Sequence, residues 1–269
     1  MASRFKCVWV TGASSGIGLE AARQLSLFTE NLVISARSKS KLDELKIQLQ
    51  ETSSVIVAPL DLSNSQSIKA AATFILDQNL VPDLVFHAGG ISQRSYANET
   101  SIEVDRRIME VNYFGTIQLT KELLPRMIAN GGGHFAIVTS LVGLFGYGVR
   151  SAYSASKHAL HGFFESLDIE LVDKGIASTL ICPGGVQTNI SLNALQGDGS
   201  NAGVMDEMQT QGMPVDQAVR RMVNGILQKK KLLIIGSPKE KLGVLMSKFF
   251  PSIFFKIASK QNPRGSVKL

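Results

Sequence analysis

The sequence predicts one α/β domain with a doubly wound, mainly parallel seven-stranded sheet and helices on both faces. Short apolar, β-branched runs alternate with longer helical patterns, which is typical of βαβ units. Most of these runs are continuously apolar instead of alternating with polar residues, as burial on both faces of a sheet requires. The chain has 269 residues, a length that a single α/β domain accommodates.

The first half of the chain predicts four strands. A strand at 5–10 leads through a glycine-rich turn into a helix at about 17–27. A strand at 32–35 precedes a charged helical segment at 39–50, and a strand at 55–60 precedes a helix at about 66–78. The fourth strand, 83–86, is followed by a long helical pattern at about 102–129. Pro125 predicts a local disturbance within this helix, because proline removes a backbone hydrogen bond.

The second half predicts three more strands. A strand at 135–139 precedes a helix at about 152–173, and a strand at 177–181 leads into a long glycine-containing loop at 189–214. A helix at about 215–228 and a strand at 232–235 follow. A loop of that length is typical of a lid or of a disordered segment, and we expect this one to cover the substrate. We therefore assign 1–238 to one catalytic domain and 239–269 to an amphipathic C-terminal tail of that domain.

Composition limits the classes of partner. The net charge is +6 and the pI is near 9.3, which suits nucleic acid, an anionic membrane surface or, as we prefer, a basic enzyme that binds a phosphate-rich cofactor. No nucleic-acid motif occurs, so no nucleic-acid partner is predicted. Cys7 and Cys182 lie in apolar runs and are predicted to be buried, which indicates neither a disulfide nor a metal site. With no signal peptide or membrane span in the pattern, we expect a cytoplasmic protein.

A glycine-rich run lies between the first strand and the first helix. Glycines at this point let the backbone approach a pyrophosphate, and the start of the helix supplies N–H groups and partial positive charge. The position makes the run much more specific than a glycine cluster alone and predicts a Rossmann-type dinucleotide site. Its candidate cofactor-binding residues are Gly12, Ser14, Ser15, Gly16, Ile17 and Gly18.

The end of the second strand predicts which dinucleotide binds. An Asp or Glu there would bond the ribose 2′-hydroxyl of NAD(H). This chain has Arg37 instead, whose planar guanidinium can pair with a 2′-phosphate, with Ser38 or Lys39 assisting. We therefore expect NADP(H) in preference to NAD(H). Asp61, after the third strand, is placed either to meet the adenine edge or to act as a helix cap or turn residue.

Three residues form a candidate catalytic group. Tyr153 and Lys157 are four residues apart in a predicted helix and therefore share a face. A nearby ammonium stabilises a phenolate, so we expect Lys157 to lower the pKa of Tyr153. Ser140 ends the fifth strand at the sheet edge where ligands bind, and its hydroxyl can hold the same carbonyl oxygen.

Together, the 11–18 run, Ser140, the Tyr153-Ser154-Ala155-Ser156-Lys157 motif and Pro183-Gly184 resemble the short-chain dehydrogenases/reductases over about residues 5–235. The resemblance implies a metal-free homodimer or homotetramer. Tyr153 would be the general acid/base, Lys157 would also bind the nicotinamide ribose, and Ser140 would hold the substrate oxygen. Asn112 would kink the long helix and hold a water of the proton relay. The remaining cofactor-binding positions are expected to be Leu62, Ala88, Gly89, Pro183, Gly184, Val186 and Thr188.

One position departs from the family pattern. His87 stands where the family has asparagine, and we interpret it as a satisfied structural histidine. The segments 90–95 and 110–115, with Phe249-Phe250-Pro251, resemble the eukaryotic dehydrogenase/reductase member-seven group and its bacterial relatives. That branch includes membrane-associated enzymes that act on lipids, steroids or retinoids.

These observations predict an NADP(H)-dependent oxidoreductase that interconverts an alcohol and a carbonyl on an apolar lipid-, steroid- or aromatic-type substrate. Met205, Met208 and Met213 favour an adaptable apolar pocket, although ordinary packing explains methionines equally well. The alternative is a catalytically silent NADPH-sensing regulator. The aromatic and lysine-rich tail fits peripheral membrane contact, packing over the active site or a subunit interface, and Pro251 interrupts any single long helix in it.

Overall fold

A computed structural model describes residues 5–205 and 207–260, and for residues 207 and 208 it describes the backbone alone. Its strands are β1 (Phe5–Thr11), β2 (Thr29–Ser35), β3 (Ser54–Val57), β4 (Leu84–His87), β5 (Gly133–Val138), β6 (Ile176–Pro183) and β7 (Leu232–Ile235). They form one parallel sheet in the order β3-β2-β1-β4-β5-β6-β7. The strand order reverses between β1 and β4, and a crevice for ligands opens at such a switch point. The predicted Rossmann sheet is confirmed.

Helices cover both faces of the sheet. They are α1 (Gly16–Ser26), α2 (Lys39–Leu49), α3 (Ser65–Leu76), α4 (Ile102–Met109), α5 (Gly115–Ala129), α6 (Ser151–Glu170), α7 (Glu207–Thr210), α8 (Val215–Leu227), α9 (Pro238–Phe249) and α10 (Pro251–Ala258). One apolar core joins the sheet to α1, α2 and α8, and a second joins its other face to α3, α5 and α6.

Strand β1 illustrates why the sequence folds this way. Successive side chains of a strand point to opposite faces. Val8 and Val10 therefore enter the first core, whereas Cys7 and Trp9 enter the second. All four are buried, which explains the uninterrupted apolar run. The one polar group of Trp9 is satisfied, because its ring N–H donates to the Ser35 hydroxyl at 2.8 Å.

The long helical pattern is interrupted, but not at the predicted place. A π-helical segment, Glu110–Phe114, separates α4 from α5, and α5 continues through Pro125 without a break. The predicted disturbance at Pro125 is therefore wrong, whereas Asn112, where a kink was expected, lies in the π-helical segment. Strand β3 is shorter than predicted and ends at Val57, two residues before Pro59, which has no backbone N–H for the ladder.

The tail forms two short helices instead of one long one. Ser237 and Glu240 form a reciprocal capping box at the start of α9, and Pro238 occupies the first turn. Pro251 begins α10, as expected of a proline that cannot continue the preceding helix. Within the described ranges, no helix combines the length and apolarity needed to cross a bilayer. Residues 261–269 of the predicted tail lie outside the described residues.

Candidate functional site

The glycine-rich loop forms a tight cradle at the switch point. Gly12 has a φ of 70°, in the left-handed region, and a Cβ there would lie 2.8 Å from the backbone nitrogen of Gly89. A Cβ at Gly18 would clash with the carbonyl oxygen of Gly12. The Thr11 hydroxyl accepts hydrogen bonds from the backbone nitrogens of Ala88 (3.2 Å) and Gly89 (3.3 Å). The ends of β1 and β4 are thus held together with bare backbone facing the crevice.

The adenosine end of the crevice carries positive charge. Arg37 is exposed and lines the cavity with Ser38 and Lys41. Lys39, which was considered as an assisting cation, does not line the cavity but pairs with Asp43 at 2.8 Å. Two cationic side chains and a hydroxyl group therefore face this end of the cavity.

Asp61 is a turn residue at the cavity wall, and its contact with an adenine edge stays a prediction. It lines the cavity, and its Oδ1 accepts hydrogen bonds from the backbone nitrogen and the hydroxyl of Ser63 at 2.9 and 2.7 Å. Burial opposes ionisation of Asp61, but these bonds and the guanidinium groups of Arg37 and Arg107 hold its pKa below the ordinary value. Asn64, not Asp61, provides the side-chain cap of α3. The Asp61 carboxylate is therefore a charged turn residue at the cavity wall.

Ser140, Tyr153 and Lys157 converge at the other end of the crevice. The Ser140 hydroxyl makes a side-chain hydrogen bond with Tyr153. Lys157 is buried, its Nζ lies 5.7 Å from the centroid of the Tyr153 ring, and it donates to the carbonyl oxygen of Val138 at 2.9 Å. All three residues line the cavity. An oxygen atom that enters this end would therefore meet the hydroxyl groups of Ser140 and Tyr153 beside the Lys157 cation.

The electrostatic balance at Tyr153 differs from the expectation. Burial raises the pKa of Tyr153, and this outweighs the lowering effects of Arg150, of the Ser140 hydrogen bond and of Arg94. Burial also lowers the pKa of Lys157 to about 8. The pKa of Tyr153 is therefore raised and not lowered as predicted, because burial dominates. The Lys157 ammonium lies near the ring of Tyr153 and is bonded to the Val138 oxygen. Tyr153 is therefore a protonated phenol at neutral pH.

Asn112 lies behind the catalytic group and does not line the cavity. Its amide is fully buried and is held on both sides by Ile91: Oδ1 accepts from the Ile91 nitrogen at 2.8 Å, and Nδ2 donates to the Ile91 oxygen at 2.9 Å. Nδ2 also donates to the Ser156 hydroxyl at 3.0 Å, on the helix that carries Tyr153 and Lys157. The π-helical segment thus connects α6 to the loop after β4.

Sequence analysis missed Gln93. This residue is fully buried, and its Oε1 accepts from the backbone nitrogens of Ala152 at 2.9 Å and Tyr153 at 3.4 Å. It therefore caps the start of α6, where Arg150 provides no side-chain cap. Gln93 belongs to the 90–95 segment that carries the branch resemblance, but its separation of 60 residues from Tyr153 hides the pairing.

Glu240 was also missed. Its Oε1 accepts from the backbone nitrogen of Gly185 at 2.9 Å, while Oε2 accepts from the backbone nitrogen of Ser237 at 2.7 Å. A Cβ on Gly184 would lie against this carboxylate and displace it, so the tail meets the β6 loop closely at this glycine. The capping-box spacing Ser-x-x-Glu was visible in the sequence, whereas the contact with Gly184 was not.

One cavity of about 1770 Å³ joins these parts. The predicted cofactor-binding residues all line it, as do Ser140, Tyr153 and Lys157. Several residues of the 189–214 loop line it as well, including Asn189, Leu195 and Met213. The side chain of Met208 lies outside the described residues. At the end away from Arg37, apolar residues of the tail complete the wall: Leu242, Met246, Phe254 and Ile257. The tail therefore packs over the cavity, one of its three predicted roles.

His87 is only half satisfied. Its ring is buried, and Nε2 lies 3.1 Å from the Thr120 hydroxyl. That hydroxyl donates its one hydrogen to the Thr116 oxygen, so Nε2 must be the donor to Thr120. Nδ1 is then an acceptor, and it has no hydrogen-bond partner among the described residues. The interpretation as a fully satisfied histidine is wrong, since only one of its nitrogens is paired.

Comparisons with known proteins agree with this arrangement. The sequence matches the profile of the family described as short chain dehydrogenase over residues 6–198. It is 37% identical over 261 residues to Dehydrogenase/reductase SDR family member 7B of Bos taurus, covering 94% of this chain and 80% of the relative. It is 36% identical over 261 residues to Dehydrogenase/reductase SDR family protein 7-like of Drosophila melanogaster, and this alignment covers 95% of this chain and 80% of the relative. The predicted branch resemblance is thereby confirmed.

Solved structures share the fold. One is the alcohol dehydrogenase from the archaeon Thermococcus sibiricus complexed with 5-hydroxy-NADP. It aligns with a TM-score of 0.74 at 25% sequence identity, over 87% of this chain and 97% of that one. The similarity extends over nearly the whole length of both chains and therefore includes the crevice between β1 and β4.

Proposed function

The chain belongs to the short-chain dehydrogenase family, and from that premise we propose that it is an NADP(H)-dependent oxidoreductase that interconverts an alcohol and a carbonyl. One observation carries the proposal: Ser140, Tyr153 and Lys157 converge in the same cavity that the glycine cradle and Arg37 line. A nucleotide sensor needs the cradle and Arg37 but has no use for the buried lysine beside a phenol, whose desolvation is costly. The silent-regulator alternative leaves that arrangement unexplained.

The residues present fit a dinucleotide. Gly12 and Gly89 line the cavity without side chains, because a Cβ on either would collide with neighbouring protein atoms, so their bare backbone can approach a pyrophosphate. Arg37, with Lys41 and Ser38 beside it, would hold a ribose 2′-phosphate, which supports NADP(H) over NAD(H). Thr188, with Pro183 and Gly184, would hold the nicotinamide amide. When bound, the cofactor supplies or accepts the hydride.

Tyr153 supplies the proton. With its pKa raised by burial, the phenol is protonated at neutral pH and is prepared to donate to a developing alkoxide. Ser140 hydrogen-bonds Tyr153 and would position the substrate oxygen, and this bond and the charge of Arg150 would stabilise the phenolate left after proton transfer. Lys157, beside the Tyr153 ring, would bind the nicotinamide ribose. Asn112 would fix the helix that carries Tyr153 and Lys157 against the loop after β4, through its bonds to Ser156 and Ile91.

The far wall of the cavity supports an apolar substrate of the lipid, steroid or aromatic type. Leu242, Met246 and Phe254 line it there, and the 189–214 loop borders it, which supports the role of a lid. A homodimer or homotetramer would cover the exposed apolar side chains of Phe114, Ile169 and Val172, next to α5 and α6. The buried free thiols of Cys7 and Cys182 support a reducing, cytoplasmic compartment.

The test follows absorbance as NADPH, and separately NADH, is oxidised in the presence of aromatic, steroid and long-chain ketones or aldehydes. We expect turnover with NADPH, a loss of at least a thousandfold in Tyr153→Phe, and unchanged NADPH binding by that variant. Tyr147→Phe, another tyrosine of the cavity wall, serves as the matched control. NADPH binding without turnover on any carbonyl would favour the regulator, and equal turnover by Tyr153→Phe would refute the mechanism.

A further inference from the structure

We propose that the outer surface of α9 and α10 docks on an anionic phospholipid bilayer and brings the apolar end of the cavity to the lipid. We call this surface the tail face and define it by Leu245, Phe249, Phe250, Ile253 and Phe255. Docking is independent of the reaction; the delivery of substrate from lipid to Tyr153 rests on the proposed function.

The tail face is exposed to an extent that is unusual for such large apolar groups. Its five side chains are between 51% and 63% exposed, and all lie within eleven consecutive residues. Leu245 and Phe249 are four residues apart and share a side of α9. Single exposed apolar residues are ordinary on a protein surface, but a contiguous group indicates that another surface covers it.

The charge around the tail face has a single sign. Lys239, Lys241, Lys248, Lys256 and Lys260 belong to the same segment, and the sequence has no Asp or Glu between 241 and 260. The one acid at its start, Glu240, is bonded to Gly185 and Ser237. Phenylalanines beside lysines on short helices match the interface of an anionic bilayer, where rings enter the headgroup region and ammonium groups meet lipid phosphates.

Charge also argues against a second copy of the chain as the occupant. A two-fold interface is self-complementary, so the same lysines would face each other across it. No free carboxylate of the segment would be available to neutralise them. The surface around α5 and α6 differs, because exposed Phe114 and Ile169 have both acids and bases nearby, including Lys121, Glu122 and Glu165. The surface around α5 and α6 therefore suits self-association of the chain better than the tail face does.

The helices of the tail face also form part of the cavity wall. Phe254 lines the cavity from α10 and contacts Phe145, with ring centroids 5.0 Å apart. Its neighbour Phe255 is exposed, and the two rings are 5.9 Å apart. Leu242 and Ile257 both line the cavity and are half exposed. An apolar molecule entering from a membrane would therefore move from lipid to cavity along a continuous apolar surface.

The test is co-sedimentation of the full chain with vesicles. We expect binding to vesicles of phosphatidylcholine with 30% phosphatidylserine, at least tenfold weaker binding to pure phosphatidylcholine, and weakening as NaCl is raised. The triple variant Phe249→Ser, Phe250→Ser, Phe255→Ser should lose at least tenfold in vesicle affinity. These residues do not line the cavity, so NADPH binding should be unchanged and serves as the check on folding.

A matched control triple variant changes exposed apolar residues elsewhere, Leu27→Ser, Ile47→Ser and Phe74→Ser, and should keep full vesicle affinity. Light scattering of both triple variants decides between lipid and a second copy. The proposal is overturned if the native chain does not bind anionic vesicles, if both triple variants bind alike, or if the tail-face variant instead dissociates an oligomer. Vesicle binding by a chain that oxidises no NADPH would support docking and refute only the proposed function.

Discussion

Replacement of His87 by asparagine is expected to make the protein more resistant to acid. Burial lowers the pKa of His87 to about 3, so the ring stays neutral in the folded protein at moderately acidic pH. In the unfolded chain its pKa returns to about 6.5. Between these values the unfolded state binds a proton that the folded state does not. The stability contribution is therefore fully present above about pH 6.5 and is lost as the pH falls toward 3.

The magnitude follows from the two pKa values. At pH 5 the unfolded value lies about 1.5 units above the solution pH, and each unit corresponds to about 1.4 kcal/mol. Protonation of His87 in the unfolded chain should therefore lower the free energy of unfolding by about 2 kcal/mol between pH 7 and pH 5. Asparagine does not titrate, and its amide can still donate to Thr120. The smaller side chain leaves space beside Phe135, which lowers stability at both pH values by a similar amount and cancels in the difference.

The assay is equilibrium urea unfolding of the native chain and of His87→Asn at pH 7 and pH 5, at one protein concentration. We expect the loss of unfolding free energy between the two pH values to be about 2 kcal/mol smaller in the variant. The exposed His158 offers the matched control, and His158→Asn should lose as much stability as the native chain. An identical loss in native chain and His87→Asn would refute the reasoning that His87 is buried in its neutral form.

Three further predictions concern the site. Arg37→Ala should weaken NADPH binding about 10- to 100-fold and leave NADH binding nearly unchanged, because only NADPH has a 2′-phosphate. Calorimetry with each cofactor measures both affinities. Equal losses of affinity for the two cofactors would contradict the role of Arg37. Asn112→Leu should lower the unfolding free energy by about 2–4 kcal/mol in urea, since the backbone nitrogen and oxygen of Ile91 lose their partners; full stability would disprove this role. Gln93→Leu should reduce turnover more than NADPH binding, because the start of α6 loses its cap. Gln93→Glu retains the acceptor oxygen and should keep most of the native turnover. Equal turnover in the two variants would contradict capping of α6.

Much of the fold was predictable because its signals are local. The glycine run after β1, the apolar strands and the four-residue spacing of Tyr153 and Lys157 depend on backbone geometry within a few residues. The parallel sheet then brings the strand ends together, so Ser140 and the glycine cradle share one cavity. Arg37 follows β2, which also ends at this edge of the sheet, so its position at the cavity could be predicted in the same way.

The remainder depends on contacts between residues far apart in the chain. Gln93 caps the helix of Tyr153 across about 60 residues, and Glu240 reaches Gly185 across 55 residues; no periodicity encodes either pairing. The pKa of Tyr153 depends on burial by several elements at once, so the Lys157 neighbour alone predicted the wrong direction. Pro125 was expected to disturb the long helix, but the distortion occurs at Asn112, whose amide is bonded outside its own helix.

The central claim is that this chain moves a hydride to a carbonyl while Tyr153 supplies the proton. The most direct test uses NADPH deuterated at C4 on either face, with mass spectrometry of the alcohol formed from a ketone that the native chain turns over. We expect one deuterium per product molecule from one of the two cofactor forms, and no labelled product with Tyr153→Phe despite normal cofactor binding. Labelled product at the native rate from Tyr153→Phe, or unlabelled alcohol from both deuterated cofactors with the native chain, would contradict the account.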